Sequence, residues 1–175
     1  YGAGGLERKG YGVYKTPESF DIIALYPEDE EDAARPYVIS ALGKLADYEG
    51  DPTTFDQETY ELGSEFHYSQ YAQKASEYDA ALIVVPDEDE VAEADYDDPY
   101  PEFKRRLGQL GVPSQMISVD TLGNDKHLGN ICSSLIGKVG GVPWRIDDIP
   151  GDVDAFVGLD VTYDHATKQH LGAAA

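Results

Sequence analysis

The chain has 175 residues, of which 41% are hydrophobic; this suffices for one folded domain with a short extension and excludes disorder throughout. Its formal net charge of −21, from 34 acidic and 13 basic residues, opposes nucleic-acid binding through overall charge. A single cysteine, Cys132, excludes an internal disulfide, and no stretch has the length of a membrane span or the build of a secretory signal. These features predict a cytoplasmic protein without membrane attachment.

Charge is distributed unevenly along the chain. Residues 100–145 carry six basic and three acidic side chains, whereas the rest of the chain carries seven basic and 31 acidic ones. The acidic excess is typical of proteins that remain solvated at high salt and predicts a halophilic source. The short basic stretch predicts a place where an anion could dock.

Apolar segments alternate with helical patterns along most of the chain. Residues 1–18 are rich in Gly and Tyr without a sustained period, which predicts a linker or a loosely attached arm. A strand at 20–27 is then followed by a helix with an acidic first turn. Further strands are predicted at 53–62, 80–86, 114–120, 143–148 and 154–163, with helices at 69–79, 100–110 and 126–139. The alternation predicts an α/β fold with a largely parallel sheet, helices on both faces, and ligands beyond the carboxyl ends of the strands.

Two acidic segments follow predicted strands. The segment 87–98 contains eight carboxylates but lacks the Asp and Gly spacing of a calcium loop, so we expect a solvated loop rather than a metal site. The segment 27–30, Pro-Glu-Asp-Glu, stands where a glycine-rich phosphate loop would follow the first strand. Its composition argues against the alternative of a stand-alone, flavodoxin-like mononucleotide-binding domain or enzyme.

Four polar side chains in the basic stretch have phosphate-binding chemistry. Tyr100 and Lys104 are four residues apart in a predicted helix and therefore share one face. Gln115 begins the next strand, and Lys138 lies near the end of the following helix, before the pair Gly140-Gly141. Ammonium groups make charge-assisted bonds to phosphate oxygens, and an aromatic face stacks on a base. Taken alone, a Tyr–Lys pair such as Tyr100 and Lys104 is more often a solvated helix face, and a residue such as Gln115 more often caps a strand edge.

Four segments resemble the passage from the Mid domain into the PIWI domain of Argonaute proteins. They are YPEFK at 100–104, GVPSQMIS at 111–118, LGNICSSLIGKVGGVPW at 128–144 and DAFVGLDVT at 154–162. Their order and spacing match over roughly residues 80–165. The resemblance implies a prokaryotic, haloarchaeal Argonaute segment with a linker at 1–18, a Rossmann-like Mid domain at 19–150 and the start of an RNase H-like PIWI domain at 151–175.

The resemblance also implies a binding site for the 5′-phosphorylated end of a guide nucleic acid. In that family, a residue matching Tyr100 stacks on the first base, and residues matching Lys104, Gln115 and Lys138 hold the terminal phosphate. The first base would be read by the loop at 95–99, although the sequence does not fix which base or whether the guide is DNA or RNA. Accessory contacts are expected from Arg105, Lys126 and Ser134.

The sequence departs from the family pattern at Ser134, where many members carry a further Lys. This substitution leaves less positive charge in the expected pocket. Prokaryotic relatives often recruit a divalent cation that bridges the first and third guide phosphates, with the protein's C-terminal carboxylate as a ligand. A Mg²⁺ or Mn²⁺ ion is therefore implied. The chain starts at Tyr1 and stops at Ala175 within patterns, which predicts a segment of a longer protein.

The last part of the chain bears on catalysis. By resemblance, Asp160 would be the first catalytic, metal-binding carboxylate of the PIWI domain. Cleavage with two metal ions needs several carboxylates around cations about 4 Å apart, so we expect this chain to bind a guide without cutting. The full-length protein is expected to be either a guide-directed endonuclease acting on a target nucleic acid or a cleavage-inactive guided binder. Asp164, His165 and His170 are interpreted as a polar hairpin rather than a metal cluster.

Overall fold

The chain divides into two compact units, Tyr1–Arg145 and Ile146–Ala175. The computed structural model describes residues 13–144 and the backbone of residues 159–164 and 169–174. The predicted domain limits at residues 18 and 150 stay predictions.

Strands and helices alternate through residues 13–144. The strands are β1 (Asp21–Pro27), β2 (Thr54–Tyr60), β3 (Ala80–Val85) and β4 (Ser114–Ser118). The helices are α1 (Glu31–Asp47), α2 (Glu65–Ala75), α3 (Glu88–Glu93), α4 (Pro99–Leu110) and α5 (Leu128–Lys138). Short 3₁₀ helices cover Glu28–Glu30, Val119–Thr121 and Asp125–His127.

The four strands form one parallel sheet in the order β2-β1-β3-β4. Successive residues of β1 and β3 point to opposite faces, and both faces are covered. Ile22 and Leu82 belong to a buried cluster with α1 and α5, whereas Ile23 and Ile83 belong to a second cluster with α2 and α4. Burial on both faces explains why the two central strands are continuous apolar runs. The predicted α/β fold, a parallel sheet with helices on both faces, is confirmed.

Local structure differs from expectation in two places. The acidic segment 87–98 is not entirely a loop, because α3 forms within it; three carboxylates in its first turn favour the positive end of the helix dipole. Asp87, just before α3, also contacts the Ser118 hydroxyl and accepts a hydrogen bond from the Asp120 amide, which ties this segment to β4. The described end of the predicted arm is attached as well, since Lys15 pairs with Val142 in an antiparallel bridge.

In the second unit, β5 (Leu159–Asp164) and β6 (Gln169–Ala174) form an antiparallel pair. Asp160 lies on β5 in register with Ala173. The structure describes the backbone of Asp160 but not its side chain, and it does not describe residues 145–158 and 165–168, which include His165. The strand predicted at 143–148 falls mostly on those residues too. None of the helices in the described ranges combines the length and apolar character needed to span a membrane.

Candidate nucleic-acid interface

Helix α4 presents Tyr100 and Lys104 on one face, as the sequence predicts. The helix begins at Pro99, and the Asp98 side chain caps it by accepting a hydrogen bond from the Tyr100 amide at 2.9 Å. Gly111 ends it with φ of 75°, a conformation that glycine adopts without strain. Tyr100 is 48% exposed, so its ring is available to a ligand.

Two ammonium groups from different helices meet at the start of β4. Lys104 Nζ donates to the Ser114 carbonyl at 3.1 Å and to the Ser114 hydroxyl at 3.3 Å. Lys138 Nζ, at the end of α5, donates to the same carbonyl at 2.7 Å and to Gln115 Oε1 at 2.8 Å. The structure therefore brings together Lys104, Gln115 and Lys138, which the sequence analysis selected, around Ser114, which it did not.

The Ser114 carbonyl can receive both lysines because of its place in the sheet. The carbonyl of Pro113 accepts a hydrogen bond from the Ala81 amide of β3, at 3.0 Å. Carbonyls alternate in direction along a strand, so that of Ser114 points away from β3. Within the described sheet β4 is an edge strand, and no further strand competes for this oxygen.

The electrostatics of the lysine pair favour an added anion. Burial lowers the pKa of the Lys104 ammonium, and burial together with the charge of Lys104 lowers the pKa of Lys138. Among the described residues, neither lysine forms an ion pair with a carboxylate. An anion placed between the two ammonium groups would offset both the lost hydration and their mutual repulsion.

A cavity of about 380 Å³ lies beside this lysine pair, between α4 and the ends of β3 and β4. Its volume is within the range of roughly 300–1,000 Å³ typical of small-ligand sites. Tyr100, Lys104 and Gln115 line it together with apolar and acidic side chains. The remaining lining residues are Val85, Pro86, Glu88, Val91, Asp98, Met116 and Ser118.

A second cavity, of about 360 Å³, adjoins the first through the side chains that both share on β4. Ser134 of α5 lines this second cavity, with Asn130 and His127. The predicted accessory residue Ser134 is thus near Gln115 but not in the cavity that contains Tyr100. Its hydroxyl can donate or accept a hydrogen bond, but it brings no positive charge.

The other two accessory candidates are directed elsewhere. Arg105 Nη2 lies 2.6 Å from Glu102, and Arg106 Nε lies 2.7 Å from the same carboxylate, which is only 5% exposed. Burial raises the pKa of Glu102, but the hydrogen bonds from both arginines outweigh this effect and the pKa is lowered. Lys126 is exposed on the 3₁₀ helix before α5 and lines neither cavity. Much of the basic stretch is therefore neutralised or remote from the lysine pair.

The structure is an α/β domain with two adjacent ammonium groups at one edge of the described parallel sheet. No known family's sequence model matches the chain. Among curated proteins, the chain is similar to the Argonaute protein of Aquifex aeolicus (strain VF5), with 38% identity over 74 residues. That alignment covers 37% of this chain and 10% of the relative.

Solved structures of Argonaute and Piwi proteins have a similar fold. Aquifex aeolicus Argonaute with externally bound siRNA superposes with a TM-score of 0.66 at 18% identity, over 88% of this chain and 23% of that structure. Drosophila Piwi gives the same TM-score and identity, over 90% of this chain and 22% of that structure. The chain thus spans less than a quarter of these proteins and is similar in fold to that part of them.

Proposed function

We propose that this chain is the guide-anchoring segment of an Argonaute and binds the 5′-phosphorylated end of a guide nucleic acid. The observation that carries the proposal is the convergence of Lys104 and Lys138 on the carbonyl of Ser114, beside Gln115. The sequence similarity to the Aquifex Argonaute and the shared fold support the same assignment.

A terminal phosphate suits the lysine pair better than an internal phosphodiester does. A phosphate monoester carries a charge of about −1.5 to −2 near neutral pH, whereas each phosphate inside a strand carries one charge. Two ammonium groups that share one neutral acceptor can neutralise the doubly charged group. This local match explains how a chain with a net charge of −21 can hold a nucleic-acid end without a broad basic surface.

Tyr100 supports the nucleotide part of the proposal. It lies four residues before Lys104 on α4, about 6 Å along the helix axis, and both side chains line one cavity. A base attached to the bound phosphate can stack on the tyrosine ring. Such stacking contributes about 1–3 kcal/mol per base and tolerates any base.

The described residues do not by themselves form a site for the expected Mg²⁺ or Mn²⁺ ion. Within the described ranges, no group of three or more His, Cys, Asp or Glu side chains is arranged to hold a metal. The lysine pair supplies positive charge where such an ion would otherwise neutralise the phosphates. Any cation bridging the guide phosphates would need ligands from the guide and from outside the described residues.

Target binding and cleavage are proposed for the longer protein rather than for this chain. Asp160 on β5 would contribute one carboxylate to a two-metal nuclease site, and that chemistry needs further carboxylates. A protein lacking them would remain a guided binder. Expression of the longer protein with a guide and a complementary target, followed by a search for cleavage products, distinguishes these two proposals.

The alternative of a stand-alone mononucleotide-binding domain has no support at the first strand. The segment after β1 forms the acidic 3₁₀ helix Glu28–Glu30. Burial, and then the charges of the nearby carboxylates of Asp29, Glu90 and Asp87, raise the pKa of Glu30. A phosphate would be repelled there.

The direct test compares two oligonucleotides of one sequence, with a 5′ phosphate or a 5′ hydroxyl, as both DNA and RNA. We expect the phosphorylated form to bind at least about tenfold more tightly, since each charge-assisted bond contributes about 1.5–3 kcal/mol. Binding is measured at one salt concentration high enough to keep the acidic chain folded. Equal affinities for the two ends would refute the proposed function.

A further inference from the structure

The cavity beside α4 has opposite chemical character at its two ends. Lys104 and Gln115 lie toward the start of β4, whereas Glu88 follows β3 and lines the cavity with Ser118, at the end of β4. Gln115 and Ser118 are three residues apart on the strand, which corresponds to about 10 Å. This span is comparable to that of a nucleotide from its phosphate to the far edge of its base.

Glu88 is the carboxylate at that far end with an open hydrogen-bonding capacity. It is exposed, and its side chain forms no hydrogen bond or ion pair with another residue in the described part of the chain. The neighbouring carboxylate, Asp98, already caps α4 through the Tyr100 amide. Val91 and Met116 add apolar surface to the lining of the cavity, as a stacked base requires.

The chemistry of a carboxylate selects among the four bases. An ionised carboxylate only accepts hydrogen bonds. The Watson–Crick edge of guanine presents two adjacent donors, N1–H and N2–H, which match its two oxygens. Adenine and cytosine present one donor beside an acceptor, and uracil or thymine presents a donor flanked by two acceptors. An acceptor facing the carboxylate is repelled.

We infer that Glu88, rather than the loop at 95–99 expected from the sequence, makes this cavity selective for guanine as the first base of the guide. The inference rests on the proposed function, because the 5′ phosphate at Lys104 and Lys138 and the stacking on Tyr100 place the first base toward Glu88. Lysines hold one end of the nucleotide and the carboxylate reads the other. Because both ends belong to one cavity of about nucleotide length, only the base at the phosphorylated end can be read.

The test uses the 175-residue chain and four oligonucleotides that differ only in the first base, each prepared with a 5′ phosphate and with a 5′ hydroxyl. We expect the guanine form to bind about 5-fold to 150-fold more tightly than the uracil or thymine form, as for a paired set of base-edge hydrogen bonds. Glu88→Gln removes the charge and turns one acceptor into a donor, so the preference for guanine should fall to within about twofold. Glu93→Gln, on the same helix but outside the cavity, is the matched control and should retain the preference.

Each result of this experiment decides between the two proposals. A 5′-phosphate preference with equal affinities for the four first bases, or with a guanine preference unchanged by Glu88→Gln, overturns the role of Glu88 and leaves phosphate binding standing. Equal binding of phosphorylated and hydroxyl ends overturns both. Retention of the 5′-phosphate preference by Glu88→Gln shows that the variant is folded and that the loss is confined to the base.

Discussion

Replacing one lysine of the pair tests the binding site directly. Lys104→Ala and Lys138→Ala each remove one ammonium group from the carbonyl of Ser114. A charge-assisted bond to phosphate contributes about 1.5–3 kcal/mol, so either variant should bind a 5′-phosphorylated guide about 10-fold to 150-fold more weakly. Binding of the 5′-hydroxyl form should change little. The ratio of the two affinities therefore isolates the terminal phosphate from the rest of the strand.

The double variant adds a second, independent expectation. Burial, and then the charge of Lys104, lower the pKa of Lys138, so Lys104→Ala should raise the pKa of Lys138. Both lysines donate to one carbonyl, so their contributions to phosphate binding need not be independent. The double variant should lose the preference for a 5′ phosphate, and a double-mutant cycle measures the coupling between the two lysines.

The assay is fluorescence anisotropy with guides labelled at the 3′ end, so that the 5′ end stays free. All variants are compared at one salt concentration, because phosphate contacts weaken as salt rises. Lys126→Ala removes the same charge from an exposed site outside both cavities and is the control. A loss of phosphate preference in Lys126→Ala as large as that in Lys104→Ala or Lys138→Ala would refute the role of the lysine pair.

Three further predictions concern the surroundings of the site. Tyr100→Ala should weaken binding of phosphorylated and hydroxyl guides alike by about 1–3 kcal/mol, and should shift the free energy of unfolding by less than about 0.5 kcal/mol, since the ring is half exposed. Phe103→Ala should lower the free energy of unfolding, measured in urea, by about 3–5 kcal/mol, because the buried ring packs against that of Tyr60 with 5.2 Å between the ring centroids. The hydrogen bond to Asp56 raises the pKa of Tyr78 from 10.0 to about 12. Tyr78→Phe should therefore be less stable than the parent chain up to about pH 10, and the difference in the free energy of unfolding should vanish as the pH rises through 12.

The fold could be predicted because its central strands are buried on both faces. β1 and β3 are unbroken apolar runs bounded by polar segments, and such runs indicate parallel strands covered by helices. The edge strand β2 carries more polar side chains, yet the alternation of its apolar and polar residues was sufficient to predict a strand there. The short helix α3 was missed, because a run of carboxylates is typical both of a solvated loop and of an acidic first helical turn.

The site could be predicted only in part, since residue types indicate chemistry but not the direction of a side chain. The four residues were selected from a resemblance, and the convergence of Lys104 and Lys138 on Ser114 depends on which carbonyls of β4 face outward, which the amino-acid sequence does not reveal. The pairing of Arg105 with Glu102 had a visible signal, namely opposite charges three residues apart on a helix. That spacing predicts an ion pair between Arg105 and Glu102 on the helix rather than a phosphate contact.

The position of the lysine pair has a further consequence, for the self-association of the chain in the absence of a ligand. An edge strand with open carbonyls can pair with a strand of another molecule and start aggregation. On β4 the outward carbonyl of Ser114 is occupied by two ammonium groups, and an incoming strand would have to displace both while burying their charge. The two lysines proposed to bind a phosphate therefore also shield this edge of the sheet, and variants without them should be more prone to self-association as well as weaker in binding.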